Sequence, residues 1–109
     1  MDEISRSARQ HPRVEVGFPV VLVCSHMGKF RVEQATARDL SPGGMGIHTD
    51  ARLRSEQPVS VEFTLPLNSI PLKVEAHIRH HIDGRYRLEF MYLTHEQAQL
   101  LHRMVNYVL

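Results

Sequence analysis

Cysteine occurs once, at Cys24, so no disulfide framework can form within the chain. Tryptophan is absent, and the aromatic residues amount to three Tyr and four Phe. That is barely enough to furnish a core, and it leaves little for a surface on which bases could stack. Charge of one sign is also lacking. Thirteen Lys and Arg against twelve Asp and Glu give a formal net charge of +1. A partner with a long phosphate backbone calls for a strongly basic face, so neither DNA nor RNA is expected, whereas a small anionic ligand held by a few local arginines fits. No apolar run approaches the length of a membrane span, and Met1–Arg6 lacks the apolar segment of a secretory signal. The expectation is a soluble cytoplasmic protein without membrane contact. With 109 residues, one core and one domain are expected. Internal repeats and low-complexity tracts are missing as well.

Hydrophobic periodicity is plentiful. Residues 1–13 are polar, without clear period, and read as a flexible arm. From Val14 the chain turns apolar and β-branched to Val23, with Pro19 marking an edge or bulge because it cannot donate to a ladder. His26-Met27-Gly28-Lys29 reads as a turn, Phe30 to Asp39 as a second strand, and the residues around Met45 and Ile47 as a short third. Ala51 to Pro58 is a polar connection. Alternation is clean in Val59–Leu65, Leu72–Arg79 and Tyr86–Tyr92, the last two joined by the hairpin signal Asp83-Gly84. The period then changes. Thr94-His95-Glu96-Gln97 fits a capping box, and Ala98, Leu101, Met104, Val105 and Val108 recur at three and four, predicting a helix over 95–108. Six strands and one helix predict an all-β fold, a small antiparallel barrel or sandwich closed by a C-terminal helix.

Two segments lie where this pattern breaks. One is Arg9-Gln10-His11-Pro12-Arg13; the other is Asp39-Leu40-Ser41-Pro42-Gly43-Gly44. Either alone is ordinary, a pair of solvated charges or a turn. Together they suit a guanine nucleotide. An arginine fork grips phosphate oxygens or the O6/N7 edge of guanine. A carboxylate such as Asp39 accepts from guanine N1–H and its exocyclic amino group, Ser41 can donate to a phosphate or carbonyl, and Gly43 and Gly44 allow close backbone approach and positive φ. Fully extended, Arg9 and Arg13 stand roughly 13 Å apart, so the arm must curl for both to reach one ligand.

The remaining candidates have plainer readings. His77, His80 and His81 cluster on the fifth strand, where alternation puts His77 and His81 on one face and His80 on the other, and exposed strand histidines account for them better than a metal site. Cys24 reads as a small buried hydrophobe, and Met45, Met91 and Met104 as core filler. No nucleophile elbow surrounds Ser41, so an enzyme is not expected.

Arg9-x-x-x-Arg13 followed by Asp39-x-Ser41-x-x-Gly44 resembles the RxxxR and [D/N]xSxxG motifs of the PilZ domain, in the same order, and the strands and closing helix extend the resemblance over nearly the whole chain. It implies a six-stranded antiparallel β-barrel of the split-barrel type, with a bacterial second messenger, cyclic di-GMP, as ligand and no further cofactor. It further implies that Arg9 and Arg13 grip phosphates and guanine faces, while Asp39, Ser41, Gly43 and Gly44 contact a guanine and its backbone. Arg79 stands where some members place another basic ligand neighbour. The small Ala8 before the first motif arginine points to one ligand molecule rather than a stacked pair. Ligand binding that orders the arm and alters a surface for an unidentified effector protein is the implied mechanism, with the protein a monomer or weak dimer, acting in motility, exopolysaccharide and biofilm formation or virulence. A PilZ-fold adaptor that binds no nucleotide is the alternative, and a β-barrel for single-stranded RNA a third class. One departure stands out: Arg87, three residues before Phe90, occupies a position at which many members carry glycine, and its side chain would either crowd the ligand or reach it.

Overall fold

The computed structural model describes residues 13–65 and 71–108. Six antiparallel strands, β1 (Val14–His26), β2 (Lys29–Ser41), β3 (Gly44–His48), β4 (Pro58–Thr64), β5 (Pro71–Ile82) and β6 (Arg85–Met91), are followed by one helix, α1 (His95–Val108). They close into a barrel in the order β1-β2-β3-β6-β5-β4. A closed ladder removes the exposed edges that an open sheet of this size would present.

The inward positions are those the alternation marks. Leu22, Leu40, Met45, Ile47, Val61, Val74, Ile78 and Leu88 are fully buried in one cluster. Cys24 belongs to it as well, and burial pushes its thiol pKa up. Met45 and Met104 are buried, and Met91 is half-buried at the end of β6. Phe18 and Phe63 stack with centroids 5.8 Å apart.

Helix α1 starts with the expected capping box. Thr94 Oγ1 accepts from the Gln97 N–H at 3.1 Å, and Gln97 Oε1 accepts from the Thr94 N–H at 3.1 Å. The Gln97 side chain also donates to the Lys73 carbonyl of β5 at 2.9 Å, anchoring the helix start. Leu101, Met104 and Val105 then enter the same core as the strands. Among the described residues, no helix is long and apolar enough to cross a membrane.

Two tight turns use consecutive residues at positive φ, Met27 (52°) with Gly28 (79°) and Asp83 (50°) with Gly84 (78°). This backbone matches the right-handed twist of the flanking strands. The first hairpin is longer than the apolar pattern indicates, because β1 and β2 stay paired out to His26 and Lys29. Pro19 remains in the ladder opposite Thr36, and β4 reaches β1 only at Val21–Cys24. The proline thus sits where one side of β1 has no β4 partner, as an imino acid requires.

Candidate functional site

Three register shifts interrupt the barrel, between Glu15 and Phe18 in β1, Ala37 and Asp39 in β2, and Ile78 and His80 in β5. A bulge adds a residue to one strand, bends it, and turns neighbouring side chains to the same side. All three bulges fall beside one concavity on the outer surface. Its volume is about 730 Å³, and its lining includes Glu15, Arg38, Asp39, His48, Arg85 and Arg87. That volume lies within the ordinary range of small-molecule pockets. Three arginines against two carboxylates make the groove cationic, with His48 and His80 beside them. Among the described residues, no ion pair or side-chain hydrogen bond engages Arg38 or Arg85.

Across the groove floor, Asp39, Gly46 and Arg87 are register partners on β2, β3 and β6. The Arg87 fork holds the Asp39 carboxylate with both arms, Nη1 to Oδ2 at 3.1 Å and Nη2 to Oδ1 at 2.5 Å. The Gly46 N–H also donates to Asp39 Oδ1, at 3.2 Å. Glycine between them leaves room for the pair in this arrangement: a Cβ at Gly46 would stand 2.5 Å from Asp39 Oδ2 and 2.9 Å from Arg87 Nη1, and the two side chains would have to shift.

The Ser41–Gly44 turn is tied into the barrel. Ser41 is buried; its Oγ accepts from the Gly43 N–H at 3.3 Å and donates to the Gly44 carbonyl at 3.4 Å. The Gly43 carbonyl accepts from the Phe90 N–H at 2.9 Å. A Cβ at Gly44 would meet the Leu88 carbonyl oxygen at 2.2 Å, so glycine here lets β3 lie against β6. Positive φ, expected at Gly43 and Gly44, belongs instead to Gly28 and Gly84. The motif glycines serve close strand approach and turn hydrogen bonding.

A family model for the PilZ domain matches residues 7–107. The chain belongs to the PilZ domain family. Its structure is similar to the PilZ domain of CeSA from a cellulose-synthesizing bacterium, at 22% identity and a TM-score of 0.68, covering 88% of this chain and 96% of that one. It is also similar to the PilZ domain of YcgR from Escherichia coli, whose structure contains c-di-GMP, at 17% identity and a TM-score of 0.71, covering 92% and 90%. The Bacillus subtilis inhibitor of motility MotI/DgrA matches at 17% identity and a TM-score of 0.71, over 92% of this chain and 49% of that one. At such identities the likeness carries the fold. A comparison of the sequence with curated proteins found no match.

Within this PilZ fold, the residues picked out from sequence separate into groups. Asp39 lines the groove. Arg13 is exposed and immediately precedes Val14, which pairs with Leu40, so the barrel brings it level with the Ser41 turn. Arg9 lies outside the described residues. Ser41, Gly43 and Gly44 shape the adjoining turn and are not part of the groove lining. Arg79 also lies outside that lining. Its guanidinium is held by Glu89 at 2.6 Å and by Glu56, and these carboxylates, Glu89 foremost, raise its pKa further.

Among the histidines, the bulge in β5 reverses the expected faces. His77 and His80 pair with the outward Glu89 and Arg87, while His81 pairs with Tyr86 and stacks on its ring, centroids 5.0 Å apart. Among the described residues, no group of histidines, cysteines and carboxylates is arranged to hold a metal ion. Sequence reasoning passed over Arg38 and Arg85. Arg85 was within reach of it, since alternation along β6 sets Arg85 and Arg87 on the outward face. Arg38 was not, because its direction depends on the β2 bulge.

Proposed function

We propose that this PilZ domain is a receptor for cyclic di-GMP that works in the cytoplasm as a monomer or weak dimer. The observation that carries the reading is the β1–β2 register, which sets Arg13 level with the Asp39–Gly44 motif at the rim of a cationic groove. In this reading residues 1–13 close over the groove as the ligand binds, with Arg9 and Arg13 on phosphates and guanine faces and Asp39 on a guanine edge. Arg38 and Arg85 supply further charge from the groove wall. Charge-assisted hydrogen bonds of about 1.5–3 kcal/mol each offset the ordering of the arm. The closed arm then forms a new surface for an effector protein; the role is one of ligand binding rather than catalysis. Calorimetry with the whole chain should show a Kd in the micromolar range or tighter, and Arg13→Ala should weaken it at least about tenfold. A folded protein with no measurable binding refutes the proposal.

A second reading, a PilZ adaptor that contacts its protein partner without nucleotide, is favoured by one observation. The Asp39 carboxylate is already held by Arg87. Capture of the same partners with and without cyclic di-GMP would support it; partners that change with the nucleotide would support the receptor.

A further inference from the structure

Arg87 meets Asp39 with two parallel N–H donors, one to each carboxylate oxygen. Guanine offers the same pattern along its Watson–Crick edge, where N1–H and the exocyclic N–H lie side by side. The two donor pairs are geometric equivalents and cannot occupy one carboxylate together. We propose that Arg87 is an internal competitor for guanine, a latch that closes Asp39 until a ligand displaces it. This inference rests on the nucleotide-receptor reading above and specifies how its site is regulated.

Three features of the structure support a built latch over a chance surface pair. Asp39, Gly46 and Arg87 form one row across three adjacent strands, so the backbone register itself sets the two side chains face to face. Gly46 leaves the pair its seat, since a Cβ there would collide with both partners. The side chains are only 28% and 25% exposed, which shields the pair from solvent and salt more than an open surface ion pair, yet both line the groove and remain reachable from it.

Displacement has a second consequence. A guanidinium released from Asp39 still stands on the groove wall with Arg38 and Arg85, and it gains an anionic partner once phosphates arrive. The latch thus exchanges one bidentate contact for another. Apparent affinity is set by the fraction of molecules in which Asp39 is open, so the receptor responds at a higher ligand concentration than its contacts alone would dictate.

The test uses the full chain and two ligands, cyclic di-GMP and cyclic di-AMP. They carry the same phosphates, but adenine lacks the paired donors that Asp39 reads. Arg87→Lys keeps the charge and removes the fork. Arg87→Met, close in length and uncharged, serves as a second variant, with circular dichroism and melting to verify the fold of each. Arg87→Lys should tighten cyclic di-GMP binding roughly fivefold or more and leave cyclic di-AMP unchanged; Arg87→Met should shift the preference toward the guanine ligand in the same direction. If the wild type binds cyclic di-GMP and neither variant improves its preference for guanine, the latch is wrong while the receptor reading stands. An equal gain for both dinucleotides also overturns the latch, because relief of crowding then explains it. Absence of cyclic di-GMP binding in the wild type and in both folded variants removes the receptor reading, and the latch with it.

Discussion

Replacing Gly44 by alanine tests whether this motif glycine acts through the fold. The added Cβ would lie 2.2 Å from the Leu88 carbonyl oxygen and 3.3 Å from its carbon, with the Glu89 Cα at 3.5 Å. All three are backbone atoms, so no side chain can rotate away. Restoring an ordinary contact requires β3 and β6 to part by about 1 Å, and adding that to the 2.9 Å bond from Phe90 N–H to the Gly43 carbonyl takes it beyond good hydrogen-bond range. Loss of that bond and a neighbouring ladder bond removes about 2 kcal/mol. The gap opens between Met45 and Leu88, both fully buried, and adds about 1 kcal/mol of lost packing. A total of about 3 kcal/mol corresponds to a fall of about 12 °C in Tm for a domain of this size. Gly17→Ala is the control: nothing lies within 4 Å of its added Cβ, and stability should change by less than about 1 kcal/mol. The assay is a thermal melt of both variants without ligand. A Gly44→Ala protein that melts within about 3 °C of the wild type would refute the packing argument and return Gly44 to a role in ligand contact alone.

Further outcomes follow from the cap and the buried thiol. Thr94→Ala removes the acceptor for the Gln97 N–H and should lower stability by about 1 kcal/mol in urea unfolding, with Thr94→Ser recovering most of it. Cys24 is buried, and desolvation is the largest cause of its raised pKa, with Arg31 acting in the opposite direction. The native thiol should therefore resist iodoacetamide at pH 8 under conditions that label the urea-unfolded chain within minutes. The unfolded thiol ionises near its ordinary 9.0 while the folded one stays protonated. The unfolded state thus sheds its proton first, and the contribution of Cys24 to stability, intact below pH 9, is lost as pH rises toward the native value. The fall in stability between pH 8 and pH 10 should be smaller in Cys24→Ala.

Most of the fold was legible because local and global preferences agree. In β4, β5 and β6 the alternating residues Val59, Val61, Phe63, Leu72, Val74, Ala76, Tyr86, Leu88 and Phe90 all enter the core. The capping box located the helix start to the residue. Where β1 and β2 run on past the core, the pattern falls silent: Phe30 and Val32 are exposed, and pairing there is carried by the backbone and the Met27-Gly28 turn. Closure of the barrel was legible only through the family resemblance. It joins β1 to β4 and β3 to β6, elements some 40 residues apart in sequence, and no local periodicity records such partnerships. The Ala51–Pro58 connection is also less polar in effect than it reads. Leu53 is buried, and its N–H donates to the Tyr86 hydroxyl, which itself donates to the Ala51 carbonyl.

The site was legible as motifs and hidden as geometry, and the bulges explain the difference. A regular strand sends consecutive side chains to opposite faces. Between Ala37 and Leu40, both inward, β2 carries two residues where regular alternation has one, so Arg38 and Asp39 emerge together on the outer surface. Without that extra residue, either Arg38 would leave the groove or Asp39 would turn into the core, an unpaired charge in an apolar interior. The same irregularity in β5 brings His80 to the groove, next in sequence to Arg79, which regular alternation after Ile78 already turns outward to Glu56 and Glu89. Periodicity thus sets Arg85 and Arg87 outward but fails at Arg38, Asp39 and His80, which is where a fold departs from its regular rules when a site has to be built. It fails again for Asp39 and Arg87, which are 48 residues apart and meet only because β3 lies between their strands with a glycine at the crossing. A motif can name the carboxylate; whether that carboxylate is open or already held depends on the register of three strands.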